Sequence, residues 1–175
     1  FGKVAKIPTD EIPPFLFYMS GTVLWSYFST CLTLNSKVFT QNADLFGKIY
    51  FPKLTVPVSH VIVSFLQFII QFSLFACFLI YYSSFGANIN FSFMMIFIPL
   101  IVVYIAIISI AFGTLLSSLT AKYRDLTFVM SFGIQLWMYA TPIVYPLSIV
   151  PEKYRFLVSL NPMTSVVELT RFFFL

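Results

Sequence analysis

The sequence predicts an all-α integral membrane protein: four transmembrane helices, a cytoplasmic amphipathic helix, and re-entrant helices near the C-terminal end. Three observations lead there. Hydrophobic residues make up 59% of the 175 residues and charged ones only 9%, where a soluble domain carries roughly a quarter charged residues. Four runs stay apolar for about the 20 residues that a helix needs to cross hydrocarbon roughly 30 Å thick with its backbone bonded internally. The links between them are too short for a separate soluble fold, so residues 1–175 read as a single transmembrane domain.

The first run extends from Pro14 to Leu34, entered through the turn-rich stretch Ile7 to Pro13 and carrying Trp25 and Tyr27. The longest polar link, Asn35 to Lys53, contains a helix of its own: Asn42 can cap it, Asp44 favours its first turn, and Leu45, Phe46, Ile49 and Tyr50 recur on one face until Pro52 stops it. Asp44 and Lys48 stand four apart on the opposite face, which makes this a helix for the membrane surface. The second run, Leu54 to Tyr82, is longer than a perpendicular crossing needs and should tilt or protrude. Ser83 to Asn90 is a Gly and Asn turn that makes the second and third runs an antiparallel hairpin.

The third run, Phe91 to Ala121, is expected to kink at Pro99. Lys122 to Asp125 is a tight charged turn, and the fourth run, Leu126 to Tyr145, is broken near its end by Thr141-Pro142 and Pro146. Beyond it, Pro151, the charged patch Glu152 to Arg155 and Asn161-Pro162 fit two short helices that dip into the membrane without crossing, the second starting at Asn161-Pro162.

Four crossings put the ends of the chain on one side and the two charged links on the other. Lys37, Lys48, Lys53, Lys122 and Arg124 then balance Lys3, Lys6, Lys153, Arg155 and Arg171, so counting Lys and Arg does not set the orientation. The short basic links are placed in the cytoplasm. The chain opens at Phe1 without the basic and apolar regions of a signal peptide, and it closes at Leu175 inside an apolar run, so further spans at either end are an expectation. Cys31 and Cys77 stand apart in apolar segments without neighbouring ligands, which reads as packing and not as metal or redox chemistry. The net charge of +4 has no basic cluster on soluble surface behind it, so no nucleic-acid partner is expected.

Six pieces in order carry a family likeness: Phe1-Gly-Lys-Val-Ala-Lys-Ile-Pro8, Ser20-Gly-Thr-Val-Leu-Trp25, Lys48-Ile-Tyr-Phe-Pro-Lys53, Tyr123-Arg-Asp125, Trp137-Met-Tyr-Ala-Thr-Pro-Ile-Val-Tyr-Pro146 and Leu160-Asn-Pro-Met163. Together they resemble the type-2 ABC transporter permeases, and among these the branch that exports O-antigen, teichoic acid and capsule. The resemblance implies a bacterial cytoplasmic-membrane, multi-pass permease of six spans, acting as a homodimer on a lipid-linked glycan. It also implies a separate ATPase subunit on the cytoplasmic face, which binds ATP and Mg. This chain would lack most of the first span and all of the last, and would itself hold no cofactor and no metal.

By that resemblance the helix from Asn42 to Tyr50 is a lever on the ATPase, where its residues alone also allow a helix lying on lipid. The coupling candidates are Asn42, Asp44, Phe46, Lys48, Ile49, Lys53, Arg124 and Asp125, the last two in a turn that anionic lipid heads would also suit. Aromatic residues are 20% of the chain, and flat aromatic faces can grip a moving sugar polymer without a fixed hydrogen-bond pattern. The path candidates are Trp25, Phe28, Trp137, Tyr139 and Tyr145, although interface belts explain Trp and Tyr near span ends equally well.

His60, Ser64, Gln67 and Gln71 share one stripe of the second run, read first as interhelical hydrogen bonding and second as path lining. Ser109, Gly113 and Ser117 recur every four residues, a pattern for close helix approach. Glu168 and Arg171 should pair near the outer surface. No Ser, His and acid set, no paired carboxylates within a span and no phosphate-binding loop supports an enzyme, so ATP hydrolysis is assigned to another chain. The alternatives are a type-2 ABC permease for a drug or small lipid, and a membrane-embedded glycan enzyme.

Overall fold

The structure, a computed structural model, describes residues 14–48, 52–85, 93–123 and 125–174, and among these no strand occurs. Helix α1 (Pro14–Asn35) leads to a short pair, α2 (Val38–Gln41) and α3 (Ala43–Lys48), followed by the long α4 (Thr55–Ser84). A 3-10 turn at Phe93–Phe97 feeds α5 (Ile98–Lys122) and then α6 (Leu126–Ala140). After a second 3-10 turn at Leu147–Ile149 come α7 (Glu152–Ser159) and α8 (Pro162–Phe174). The turn expected over Ser83 to Asn90 lies outside the described residues beyond Phe85.

Helix α1 sits at the centre, touching α4, α5, α6 and α8. This explains its composition. A helix ringed by protein can carry Ser20, Gly21, Ser26, Ser29, Thr30 and Thr33, because close packing and neighbouring carbonyls replace lipid around them. Among the described residues, helices α4 and α5 are the two that meet both the length and the apolar composition of a membrane crossing. Their outer faces are bare Ile62, Val63, Leu66 and Ile70 on α4, with Val103, Ile107 and Leu115 on α5. Bare apolar faces of this extent need a solvent as apolar as themselves.

Pairing between α1 and α4 is antiparallel. The Phe15 ring lies 4.9 Å from Phe78, Tyr27 lies 5.2 Å from Phe68, and Asn35 Oδ1 meets His60 Nδ1 at 3.3 Å. One number falls as the other rises.

One sequence expectation changes here. Pro99 does not kink a helix; it occupies the first turn of α5, where the missing N–H had no intrahelical partner to lose. The break expected near the end of the fourth apolar run is found: α6 ends at Ala140, and Thr141 turns extended at φ −97° and ψ 136°. Proline ring atoms exclude the helical conformation from the preceding residue, which is why the break falls at Thr141-Pro142.

The Asn161 start signal is realised. Its Oδ1 accepts the Met163 N–H at 3.1 Å in the first turn of α8 and also the Trp137 Nε1–H at 3.0 Å, while its Nδ2 donates to Thr141 Oγ1 at 2.8 Å. One amide thus ties the start of α8 to the end of α6. At the far end of α8, Phe174 packs on Phe75 and Phe72 of α4.

Candidate functional site

Two regions hold the residues singled out in the sequence. The first is the joint below α1. Helix α2 ends at Asn42, whose Nδ2 donates to the Val38 carbonyl at 3.0 Å. The side-chain bond shown for Asn42 thus runs from its amide nitrogen to the helix before it, where the sequence expectation is a side-chain oxygen capping the helix after it. Asp44 does lie in the first turn of α3 and Lys48 in its last, both exposed, as the helix dipole favours. No residue of α3 is buried, and its contact with the rest runs through Phe46, whose ring sits 5.7 Å from Phe39 of α2.

Lys53 and Asp125 are exposed, while Ile49, Tyr50 and Arg124 lie outside the described residues. Phe39, Thr40 and Ala43 face Ala121 and Thr127 across a cleft of about 340 Å³, so the two polar links border one recess.

Above that recess the joint is fastened. The Phe39 N–H donates to Ser117 Oγ at 2.8 Å, and Thr120 Oγ1 donates to the Ser36 carbonyl at 2.9 Å. Ser109, Gly113 and Ser117 are all buried, and a Cβ added at Gly113 would overlap the Cβ of Asn35. The small-residue spacing therefore does mark a close helix approach. Thr120 and the pair Asn35-Ser36 carry no such signal in the sequence, since nothing in their spacing tells that α1 will end against α5.

The second region is aromatic. Trp25 is 6% exposed and Phe28 fully buried, with their rings 5.4 Å apart. Phe28 meets Trp137 edge-on at 5.3 Å, and Trp137 meets Phe112 at 5.5 Å. These rings form one tilted and edge-to-face cluster across α1, α5 and α6, buried at Trp25 and Phe28, half-buried at Trp137 and exposed at Phe112. Tyr139, by contrast, is 73% exposed, and the half-buried Tyr145 donates its hydroxyl to the Tyr139 carbonyl at 3.3 Å.

The polar stripe of α4 divides. His60 and Ser64 turn toward α1, Gln67 is exposed, and Gln71 borders a cleft of about 340 Å³ with Met19, Thr22, Ser26 and Leu74.

Glu168 and Arg171 do pair, at 3.3 Å, yet Arg171 is no surface residue. It is 6% exposed, lies 3.7 Å over the Phe17 ring, and donates to the carbonyls of Pro142 and Ile143 at 2.8 and 2.7 Å. The pair is legible from its spacing. The carbonyls are not, because they become acceptors only where the break after α6 frees them.

The family profile described as ABC-2 type transporter, a membrane family, matches residues 2–175. The chain belongs to this family. The chain is similar to O-antigen export system permease proteins RfbA, two from Klebsiella pneumoniae, each 30% identical over 158 residues, and one from Myxococcus xanthus, 27% identical over 161. Each alignment covers 90% of this chain and 60% of the relative, so the chain spans about three-fifths of the length of the curated relatives it matches. The family match makes it an ABC-2 membrane chain.

Proposed function

We propose that this chain is the greater part of the permease subunit of an ATP-driven exporter, moving lipid-linked polysaccharide of the O-antigen, teichoic acid or capsule kind across the bacterial cytoplasmic membrane. The observation that carries the reading is the likeness to O-antigen export permeases over 90% of the chain, inside a family match running from residue 2 to 175. A homodimer of permeases, joined to an ATPase subunit that binds ATP and Mg, supplies the rest of the machine.

In this reading α1, α4, α5 and α6 are the four crossings and α7 with α8 a re-entrant pair. Helix α6 has 15 residues, about 22 Å at 1.5 Å per residue, short of hydrocarbon about 30 Å thick. The break at Thr141-Pro142 and the helices tied to it by Asn161 and Arg171 fill the remaining depth. The α2–α3 link and the Tyr123 to Asp125 turn face the cytoplasm, where Asp44, Phe46, Lys48, Lys53 and Asp125 meet the ATPase, together with Asn42, Ile49 and Arg124.

Of the five path candidates, Tyr139 has its face open to a passing sugar, whereas the rings of Trp25, Phe28 and Trp137 are engaged by neighbours and shape the wall from behind. Tyr139→Leu keeps apolar bulk and removes the flat face. In cells depending on this permease, with protein level and ATPase assembly unchanged, surface polysaccharide should fall several-fold and lipid-linked polymer should collect inside. Unaltered polysaccharide export in cells lacking the permease altogether would refute the reading and favour a drug or small-lipid substrate.

A further inference from the structure

We infer that Ser117 and Thr120 of α5 are positioning residues that bolt the corner between α1 and α2 onto α5, so that movement of the α2–α3 link is delivered to α5 as well as to α1. The inference rests on the permease reading above and adds to it the route by which force enters the spans.

The bolt is made of backbone groups that helix ends leave open. Phe39 is the second residue of α2, so its N–H has no acceptor within that helix. Lys37, at the N-cap, offers no side-chain bond. Ser117 Oγ takes the proton from across the interface at 2.8 Å, capping α2 from another helix 78 residues away in sequence. The Ser36 carbonyl, just past the end of α1, is likewise left open, and Thr120 Oγ1 reaches it at 2.9 Å.

Ser36, Ser117 and Thr120 are exposed by 3%, 0% and 1%, so water is absent as a substitute partner. Asn35 sits over Gly113 and meets His60, which adds α4 to the same knot. On the other side, α3 buries no residue and leans on α2 through the contact of Phe46 with Phe39. A push on α3 thus travels through two rings to the backbone of Phe39, and from there through Ser117 into α5.

Two substitutions separate the hydrogen bond from mere filling of space. Thr120→Val keeps the volume and deletes the hydroxyl; Thr120→Ser keeps the hydroxyl and deletes a methyl. Both are made in the complete transporter with its ATPase subunit, and three quantities are read: assembled complex, ATP hydrolysed, and polysaccharide exported. Thr120→Val should leave the first two near the parental level and lower export per ATP several-fold, with Thr120→Ser close to parental. Should Thr120→Val fail to accumulate, Ser117→Ala, which removes one oxygen, carries the same expectation.

Parental export per ATP in a well-assembled Thr120→Val variant overturns the bolt while leaving the permease reading intact. A larger loss in Thr120→Ser than in Thr120→Val also overturns it, because packing and not the hydrogen bond would then matter. A parental transporter that hydrolyses ATP and exports no polysaccharide overturns the permease reading and this inference together.

Discussion

Arg171 shows how much one side chain can decide. Burying a guanidinium is costly unless its charge and its donors are answered, and here two carbonyls, a carboxylate and an aromatic face answer the charge and the two terminal nitrogens. The carbonyls belong to the segment that breaks after α6, so the residue that satisfies the break also pins it to α8. Arg171→Gln keeps one donor pair but cannot span both carbonyls, leaving a buried acceptor unmet at a cost of about 1–3 kcal/mol. Thermal unfolding of the complete permease in detergent should shift several degrees downward. Glu168→Gln should shift it little, since that carboxylate is 38% exposed and an exposed ion pair contributes about 0–1 kcal/mol. Equal shifts for the two variants would show that the ion pair, not the carbonyl clamp, holds the segment.

Among the elements, what is legible in the sequence follows from local chemistry, and what is hidden follows from neighbours. The apolar runs announce α4 and α5, though α5 starts only at Ile98 after a 3-10 turn, and Asn161-Pro162 announces the start of α8, because spans and caps are written in consecutive residues. Pro99 suggests a kink because a proline in the first turn and one in mid-helix look alike until the helix start is known. The end of α6 is legible although hydropathy continues past it, because Thr141-Pro142 marks the break in consecutive residues. Asn42 could cap either flanking helix, and only the fold shows which. Of the candidate path residues, spacing places Trp25 and Phe28 on one face, but which rings lie inside depends on α5 and α6.

Gly113 belongs to this scale too, since its lack of a side chain sets how closely α1 and α5 approach. A methyl there would overlap the Cβ of Asn35, an atom held by its own backbone and unable to turn away. Gly113→Ala should therefore force the helices apart at a cost of about 1–3 kcal/mol, the usual range for overpacking. In the complete permease, lowered thermal stability in detergent should report it. Gly47→Ala is the control, as nothing lies within 4 Å of the added atom and alanine suits a helix better than glycine. Matching losses at the two glycines would remove the close approach from the account.

For the whole molecule, the decisive property is which side each end of the central bundle faces. Equal numbers of Lys and Arg on the two sides leave the positive-inside rule evenly balanced. In the permease reading proposed above, helix α4 sets the two ends of the bundle apart, and labelling decides which is which. Its 30 residues extend about 45 Å at 1.5 Å per residue, more than the hydrocarbon is thick, so the α3 link before it and Phe85 after it must lie on opposite sides. The joint fastened by Ser117 and Thr120 lies at the end of the bundle that carries Lys48 and Lys122, the end that the proposal assigns to the ATPase. After replacement of Cys31 and Cys77, a cysteine at Lys48 should be shielded from membrane-impermeant thiol reagents in intact cells and become reactive on permeabilisation. A cysteine at Phe85, which is 74% exposed, should react in intact cells. Labelling at 48 with protection at 85 would turn the bundle over and place the joint outside, beyond the reach of any cytoplasmic ATPase. Labelling at both positions in intact cells would mean that α4 does not cross.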